Sequence, residues 1–530
     1  MMIKTVKGWL AAHMRIVHIA IASLFALVIL LTVLFKEYFW LYISIGALIV
    51  YIFYPGSVLH RFTCENRNAL KIAIAVLVAG VTITLCVLPM DNLSLWNGED
   101  PGHRNQYELM ADAILDGRID FDYGDEDNLA NLKNPYDPDE RNQAGVYYHW
   151  DHAYYNGHYY MYFGVVPVFL VFIPYKLLTG TSLTTFHATQ IFVAFIIAGI
   201  FMLFYLLAKL FFKKMPFGVY LALSVAFSVM SVWFSIAEPA LYCTAITAAI
   251  ALMVWSLYFF IRAVWGETKE NKQIVLAAIG ALLGALAFGC RPPIALANIL
   301  VIPMLVVFIK QHKFSFKLLG KLALAALPYV FVGVALMCYN YARFEDPFEF
   351  GQAYQLTVSD QHLYSITLDA KTILRIVNDS TRYFFDVGWL SESFPYVNST
   401  SVFFNFPILF ICFAILSHKI RKEMKDSKIL SFVIGLLITS FIITAMDIVW
   451  SPYLLERYRM DIYFIMGIAC FMIIGFWYNS CSEKGRRMFS TVMIAFALIT
   501  TASSYLIYVR TVGLYYPEEL VKIGEALGLV

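Results

Sequence analysis

Residues 189–211 read TQIFVAFIIAGIFMLFYLLAKLF, a run in which Lys209 is the only charged side chain. A helix needs about 20 mostly apolar residues to cross a hydrocarbon core about 30 Å thick, and this stretch meets that length. Its apolar residues run on continuously, where a barrel strand alternates. Lipid offers the backbone no hydrogen-bond partner, so a segment that spans it as a single run must be a helix. The same pattern recurs over 15–35, 38–54, 69–90, 216–235, 239–262, 274–290, 293–309, 319–342, 402–417, 429–449, 460–478 and 489–508, which gives thirteen predicted spans. Composition points the same way, since 14% of the residues are charged against roughly 25% in a soluble chain. The predicted fold class is therefore all-α, a polytopic membrane protein. The first span is too long to be a removed signal peptide. A net charge of +2 gives no sign of a nucleic-acid partner. The long loops carry no cysteine, so no disulfide framework is expected.

Orientation follows from the basic residues, which favour the cytoplasmic side. Arg61, Arg67, Lys213, Lys214, Lys310, Lys313, Lys419, Arg421, Lys422, Arg486 and Arg487 all fall on one side if the N-terminus is cytoplasmic and the C-terminus extracytoplasmic. The run 161–178, MYFGVVPVFLVFIPYKLL, contains Pro167 and Pro174. Counted as a span, it would reverse every later loop, so it reads as a helix dipping into or lying along the outer leaflet; a true span is the alternative. The chain then divides into N-terminal helices (1–90), a first extracytoplasmic loop (91–188), central helices (189–342), a second extracytoplasmic loop (343–401) and C-terminal helices with a short outer tail (402–530). Residues 91–160 hold fifteen Asp or Glu against four Lys or Arg. The loops are also rich in Tyr and Trp, which argues against disorder.

Four groups of outer-side residues could carry chemistry. Glu99 and Asp100 lie a few residues beyond the third span, where partial desolvation turns a carboxylate into a better general base; a solvated acidic turn is the plainer reading. The stretch from Tyr147 to Tyr160 interleaves aromatic rings with His149, Asp151, His152 and His158. Such faces and polar groups suit a sugar ring, although an interfacial aromatic belt has the same composition. Glu238 occupies the turn Ser235-Ile236-Ala237-Glu238-Pro239 and faces the same compartment. Arg291, Arg343, Arg457 and Arg459 sit at outer ends of spans, where positive charge is disfavoured unless an anion meets it. A phosphate fits the guanidinium fork; salt bridges to Glu456, Asp461 or headgroups are the alternative. His149, Asp151, His152 and His158 could also ligate a metal, but their spacing in a loop implies no tight site; no cofactor is expected, a divalent metal being the less favoured alternative.

The pattern resembles the GT-C glycosyltransferases, which include protein O-mannosyltransferases and the aminoarabinose transferase acting on lipid A. The likeness rests on the acidic pair opening the first outer loop, the Pro-containing apolar helix closing it, the acid-Pro turn two spans later, and the Arg-Pro and outer arginines beyond. Gly117-Arg118-Ile119-Asp120, Asn156 to Gly164 with Pro167, and Tyr339-Asn340-Tyr341-Ala342-Arg343-Phe344 with Pro347 and Phe350-Gly351 are similar to bacterial cell-envelope members. The resemblance implies a polyprenyl-phosphate sugar as donor and an extracytoplasmic glycan, lipid or protein as acceptor, with inversion at the anomeric carbon, in the cell membrane. It implies Asp100 or Glu99 as base, the family order being Asp-Glu where this chain has Glu-Asp. It implies Arg291, Arg343, Arg457 and Arg459 around the donor phosphate, and Glu238, His149, Asp151, His152 and Tyr160 as substrate contacts. It also implies independence from metal, since monophosphate donors generally need none. A transporter or flippase of a lipid-linked glycan, or a polymerase or ligase using a pyrophosphate donor, are the rival readings.

Overall fold

The computed structural model describes residues 60, 62–86, 106–124, 127–239, 241–363, 369–388, 390–451, 455–515 and 517–527. The expected spans 15–35 and 38–54, and with them Glu99 and Asp100, lie outside the described residues. The described residues are mostly helical, and their one sheet is a hairpin. Among the helices are α1 (Arg67–Cys86), α2 (Gln106–Leu115), α3 (Ile173–Thr179), α4 (Thr185–Phe211), α5 (Phe217–Ala237), α6 (Leu241–Ile261) and α7 (Glu270–Phe288). They continue as α8 (Val301–His312), α9 (Phe316–Phe344), α10 (Ala370–Phe385), α11 (Leu430–Trp450), α12 (Met460–Ser480), α13 (Glu483–Tyr515) and α14 (Pro517–Leu527). Nine helical segments among the described residues are long and apolar enough to cross a membrane. The chain is a polytopic α-helical membrane protein.

Two expected spans take another form, each with a proline as the cause. Residues 293–309 begin as a short α turn, Pro292–Ala295, tighten to a 3₁₀ segment, Leu296–Leu300, and only then enter α8. Pro303 has no N–H for the carbonyl four residues before it, and the preceding turn closes on itself instead. Residues 402–417 form one α turn, Val402–Asn405, followed by a 3₁₀ helix over Pro407–Leu416. The run 161–178 does not span: a π segment, Val168–Phe172, leads into α3 at Pro174. Those twelve residues reach about 18 Å, short of a core about 30 Å thick.

The connections separate into two ends. At one, Phe217 N donates to Phe62 O at 2.7 Å, Tyr478 Oη to Lys214 O at 2.9 Å, Asn479 Nδ2 to Phe211 O at 3.0 Å and Ser480 Oγ to Glu423 at 2.7 Å. These are the basic loops that the sequence assigns to a single side. Between the ends α12 is buried along nearly its whole length, with Phe471 stacked on Phe204 of α4 at 4.0 Å. By contrast, α9 lies at the periphery, with Leu324, Val330, Phe331 and Val334 exposed.

At the opposite end the two long loops, 106–184 and 345–401 in their described parts, make one lobe. The strands β1 (His152–Tyr155) and β2 (His158–Met161) pair antiparallel with Tyr155 opposite His158. Asn156 and Gly157 form the connecting turn, both with positive φ (50° and 81°), the signature of a two-residue hairpin loop. The second outer loop extends this edge: Tyr154 N donates to Tyr354 O at 3.0 Å and Leu356 N to His152 O at 2.9 Å. Arg141, fully buried, donates to Pro135 O at 2.7 Å and to Thr357 O at 2.6 Å, fastening the loops together. The lobe meets the bundle at Gly164, where an added Cβ would stand 2.3 Å from Gly289 O at the end of α7.

His152 is buried in this lobe. Its Nδ1 donates to Trp150 O at 2.9 Å and its Nε2 accepts from Tyr123 Oη at 2.8 Å. Burial holds its pKa down to about 3 from the ordinary 6.5, helped by the neighbouring His149.

Two outcomes follow. The unfolded lobe binds a proton at His152 that the folded lobe refuses, so the imidazole's contribution is whole above pH 6.5 and is lost as pH falls toward 3. Amide-exchange protection of β1 and β2 should weaken by about 1 kcal/mol on going from about pH 7 to about pH 5.5; His152→Gln should abolish that slope, and flat protection in the wild type would contradict the burial. Gly164→Ala forces a methyl group against Gly289 O and should destabilise the protein by about 1–3 kcal/mol, read as a lowered Tm in detergent. An unchanged Tm would mean the lobe does not seat there.

Candidate functional site

A cavity of about 350 Å³ opens where the lobe sits on the bundle. Six parts of the chain wall it: the hairpin and its exit (Trp150, Asp151, Tyr162–Val165), the start of α6 (Tyr242), the α7 end (Phe288–Pro293), the last turns of α9 (Leu336–Arg343), the second outer loop (Phe350–Gln361), and the chain from Asp447 to Tyr458. Polar and aromatic groups are mixed throughout, as in pockets that fix a ligand by a few convergent polar atoms.

Of the four arginines singled out from the sequence, three reach this cavity. Arg457 presents its guanidinium over the Tyr242 ring at 4.1 Å and near the Tyr458 ring at 5.6 Å. It makes no hydrogen bond or ion pair with a described residue; aromatic faces hold it in the cavity lining. Arg291, in extended backbone before Pro292, donates from Nε to Asp461 Oδ2 at 2.8 Å, with an amino nitrogen 2.7 Å from the same oxygen. Asp461 is fully buried and Arg291 keeps 19% of its side chain exposed. Arg343 also lines the cavity, but its nitrogens serve Met161 O (2.7 Å) and Asn340 Oδ1 (2.8 Å). That arginine ties α9 to the hairpin.

Arg459 stands elsewhere. It donates to Ser399 Oγ at 2.8 Å and to Thr400 O, clamping the second outer loop ahead of Val402. The residue two positions earlier points to the cavity because the 3₁₀ turn Glu456–Arg459 separates the directions of the two side chains. Glu456, the partner considered from the sequence, pairs with Arg510 at 3.0 Å.

Asp151 is the described carboxylate of the lobe that faces the cavity. It adopts φ 56°, accepts from Tyr242 Oη, and accepts from Gln355 Nε2 at 2.8 Å. Burial raises its pKa, opposed by the Tyr242 hydrogen bond, the charge of Arg457 and the Gln355 hydrogen bond. The result is a more basic carboxylate than a solvated one. Its positive φ is the cost of aiming the side chain inward; Gln106 Nε2 steadies the turn by donating to Asp151 O at 2.8 Å.

The remaining sequence candidates are not in the lining. His149 stacks on Tyr123 at 3.6 Å, His152 is enclosed in the lobe, and Tyr160 packs edge-on against Phe344 at 5.5 Å. Glu238 ends α5, its N–H donating to Phe234 O at 2.8 Å, and is buried away from the cavity wall. Tyr242, Gln355, Tyr458 and Asp447 are residues of the site that sequence reasoning missed. Tyr242 carries no signal in sequence, being one tyrosine among 34. Asp447, near the outer end of an apolar run, carried one. Among the described residues no group of three or more His, Cys, Asp or Glu is arranged to hold a metal ion.

No family model matches the chain, and no curated protein does. Among solved structures the chain is similar to the oligosaccharyltransferase of Archaeoglobus fulgidus in its apo form, at 14% identity and a TM-score of 0.43 over 84% of this chain. The match spans about half of that protein, 55% of its length.

Proposed function

We propose that the chain is a membrane glycosyltransferase that moves a sugar from a polyprenyl-phosphate donor to an acceptor glycan, lipid or protein at the non-cytoplasmic face, with inversion. The observation that carries the reading is Arg457, a guanidinium held over two aromatic rings in the lining of a cavity that it shares with Asp151 and Arg291. A partly buried guanidinium favours an anionic partner, and phosphate matches its geometry. As the bond between sugar and phosphate lengthens, negative charge grows on the phosphate oxygens, and Arg457 with Arg291 stabilises it without reorganising.

The acceptor enters from the lobe side. Asp151 and Gln355 hydrogen-bond its hydroxyls, and the exposed face of Trp150 stacks on a sugar ring. The base that takes the acceptor proton is assigned to Asp100 or Glu99, as the resemblance implies. Its oxygen then attacks the anomeric carbon from the face opposite the phosphate, and this gives inversion. A flippase is the second reading. The ionisable residues of the cavity gather at one end of the bundle instead of along a path through it, which favours the transferase.

The test is transfer in proteoliposomes supplied with polyprenyl-phosphate sugars. Arg457→Ala should raise the KM for the donor about 10–100-fold, the loss of one or two charge-assisted hydrogen bonds. Asp100→Asn or Glu99→Gln should lower kcat by about 10²-fold or more as the base is lost, whereas Asp151→Asn should act mainly on the KM for the acceptor. Movement of labelled lipid across the bilayer with no sugar transferred would establish the flippase instead. An Arg457→Ala variant with unaltered donor KM would remove the phosphate clamp.

A further inference from the structure

Residues 370–385, AKTILRIVNDSTRYFF, form α10, and their order separates two faces. At about 3.6 residues per turn, Ile373, Leu374, Ile376, Val377 and Phe384 share one side. Lys371, Arg375, Asn378, Asp379 and Arg382 share the other. Packing uses only part of the apolar side. Ser380 and Tyr383 are buried, whereas Ile373, Leu374 and Val377 are 55%, 69% and 55% exposed among the described residues. A contiguous exposed apolar stripe marks a surface that meets something other than water.

The contacts of α10 fix where that stripe lies. Arg375 donates to Ser451 O at 2.8 Å, just past the end of α11. The Tyr383 ring lies 5.4 Å from the guanidinium of Arg459, just ahead of α12. Both anchors are ends of helices long and apolar enough to cross a membrane, which keeps α10 at the end of the bundle that carries the cavity. At Phe385 the apolar side runs on into further apolar chain. Phe385 stacks on Phe403 at 5.0 Å, and Phe410, Phe413 and Leu416 of the next 3₁₀ segment are exposed. That segment, Pro407–Leu416, rises about 20 Å, short of a hydrocarbon core about 30 Å thick. A helix lying over its beginning can supply apolar surface for the missing depth.

We infer that α10 is an interfacial helix, docked by Ile373, Leu374 and Val377 on the lipid surface at the cavity end of the bundle. Lys371 and Arg382 are exposed on its polar side. Long cationic side chains of this kind keep their charge at headgroup depth while the apolar side chains enter the acyl boundary. Continuity with the exposed side chains of Pro407–Leu416 favours lipid over a soluble partner. Through Arg375 the docking has a consequence for the cavity. Ser451 lines it, and the Ser451 N–H donates to Asp447 O at 3.0 Å in the last turn of α11. A helix held in the leaflet therefore steadies that wall, whatever chemistry the cavity performs.

The experiment places benzoylphenylalanine, one position at a time, in the full chain reconstituted in nanodiscs of phosphatidylcholine and phosphatidylglycerol. On irradiation, the photophore at Ile373 or Val377 should add the mass of one lipid, and at Lys371 or Arg382 the yield should be about tenfold lower. Equal lipid yields from the two sides, or none from either, overturn the docking. So does an adduct from Val377 to protein, whether the same chain or a second copy. A second measurement uses Leu374→Asp with Val377→Asp, both at exposed positions. Amide exchange in α10 and at Ser451 should quicken about tenfold or more, with α12 unchanged. A Leu374→Met, Val377→Leu pair should match wild type. Exchange unaltered in the acidic variant would mean that lipid does not hold the helix.

Discussion

The ion pair between Arg291 and Asp461 holds together the end of the bundle that carries the cavity. A charge taken out of water must find its opposite, and breaking a buried pair by removing one member costs about 3–5 kcal/mol. Arg291 stands in the three-residue gap between α7 and the Pro292 turn, and Asp461 in the first turn of α12. One contact therefore fixes the end of a peripheral hairpin of helices against the most deeply buried helix of the bundle. The cavity exists because those two helix ends are held at that spacing, with Arg457 and Tyr458 in the short 3₁₀ turn just ahead of Asp461. Gly289 adjoins the same gap and receives Val166 N at 3.1 Å, so the pair also sets where the lobe lands.

The lobe depends on a different kind of constraint. Its hairpin is short, and two strands alone have little stability in water. It gains the edge at 354–356, the buried Arg141 that reaches across to Thr357, and Arg343 holding Met161 O from below. Parts of the chain some 200 residues apart thus close one wall of the cavity. Asp151 and Gln355 meet only because of that pairing.

Much of this could be read from the residues alone. Length and continuity of the apolar runs gave the helices, because lipid leaves the backbone no other solution. Basic loops were expected on one side, and several of them do meet at one end of the bundle. Outer arginines were informative because positive charge is rare there, and Arg291, Arg343 and Arg457 do converge. Arg459 shows the limit of such reasoning, since a two-residue displacement along a tight turn sends a side chain to another wall. The hairpin escaped notice despite its Asn156-Gly157 signal, the aromatic composition having suggested a surface and not a strand. Departures at Pro303 and Pro407 were written in the sequence, but hydropathy averages over them. Pairings such as Arg291 with Asp461 depend on tertiary geometry, which no local pattern carries.

One face of α9 lines the cavity through Leu336, Tyr339, Asn340 and Arg343, and the other, with Leu327, Val330, Phe331, Val334 and Tyr341, is exposed. The partition between the cavity and the exposed flank is thus one helix, about 10 Å thick. Drawing an isoprenoid chain into water would oppose binding by about 0.8 kcal/mol for every methylene. On the reading proposed above, so thin a wall lets a donor lipid dip its head into the cavity while its tail stays in the bilayer.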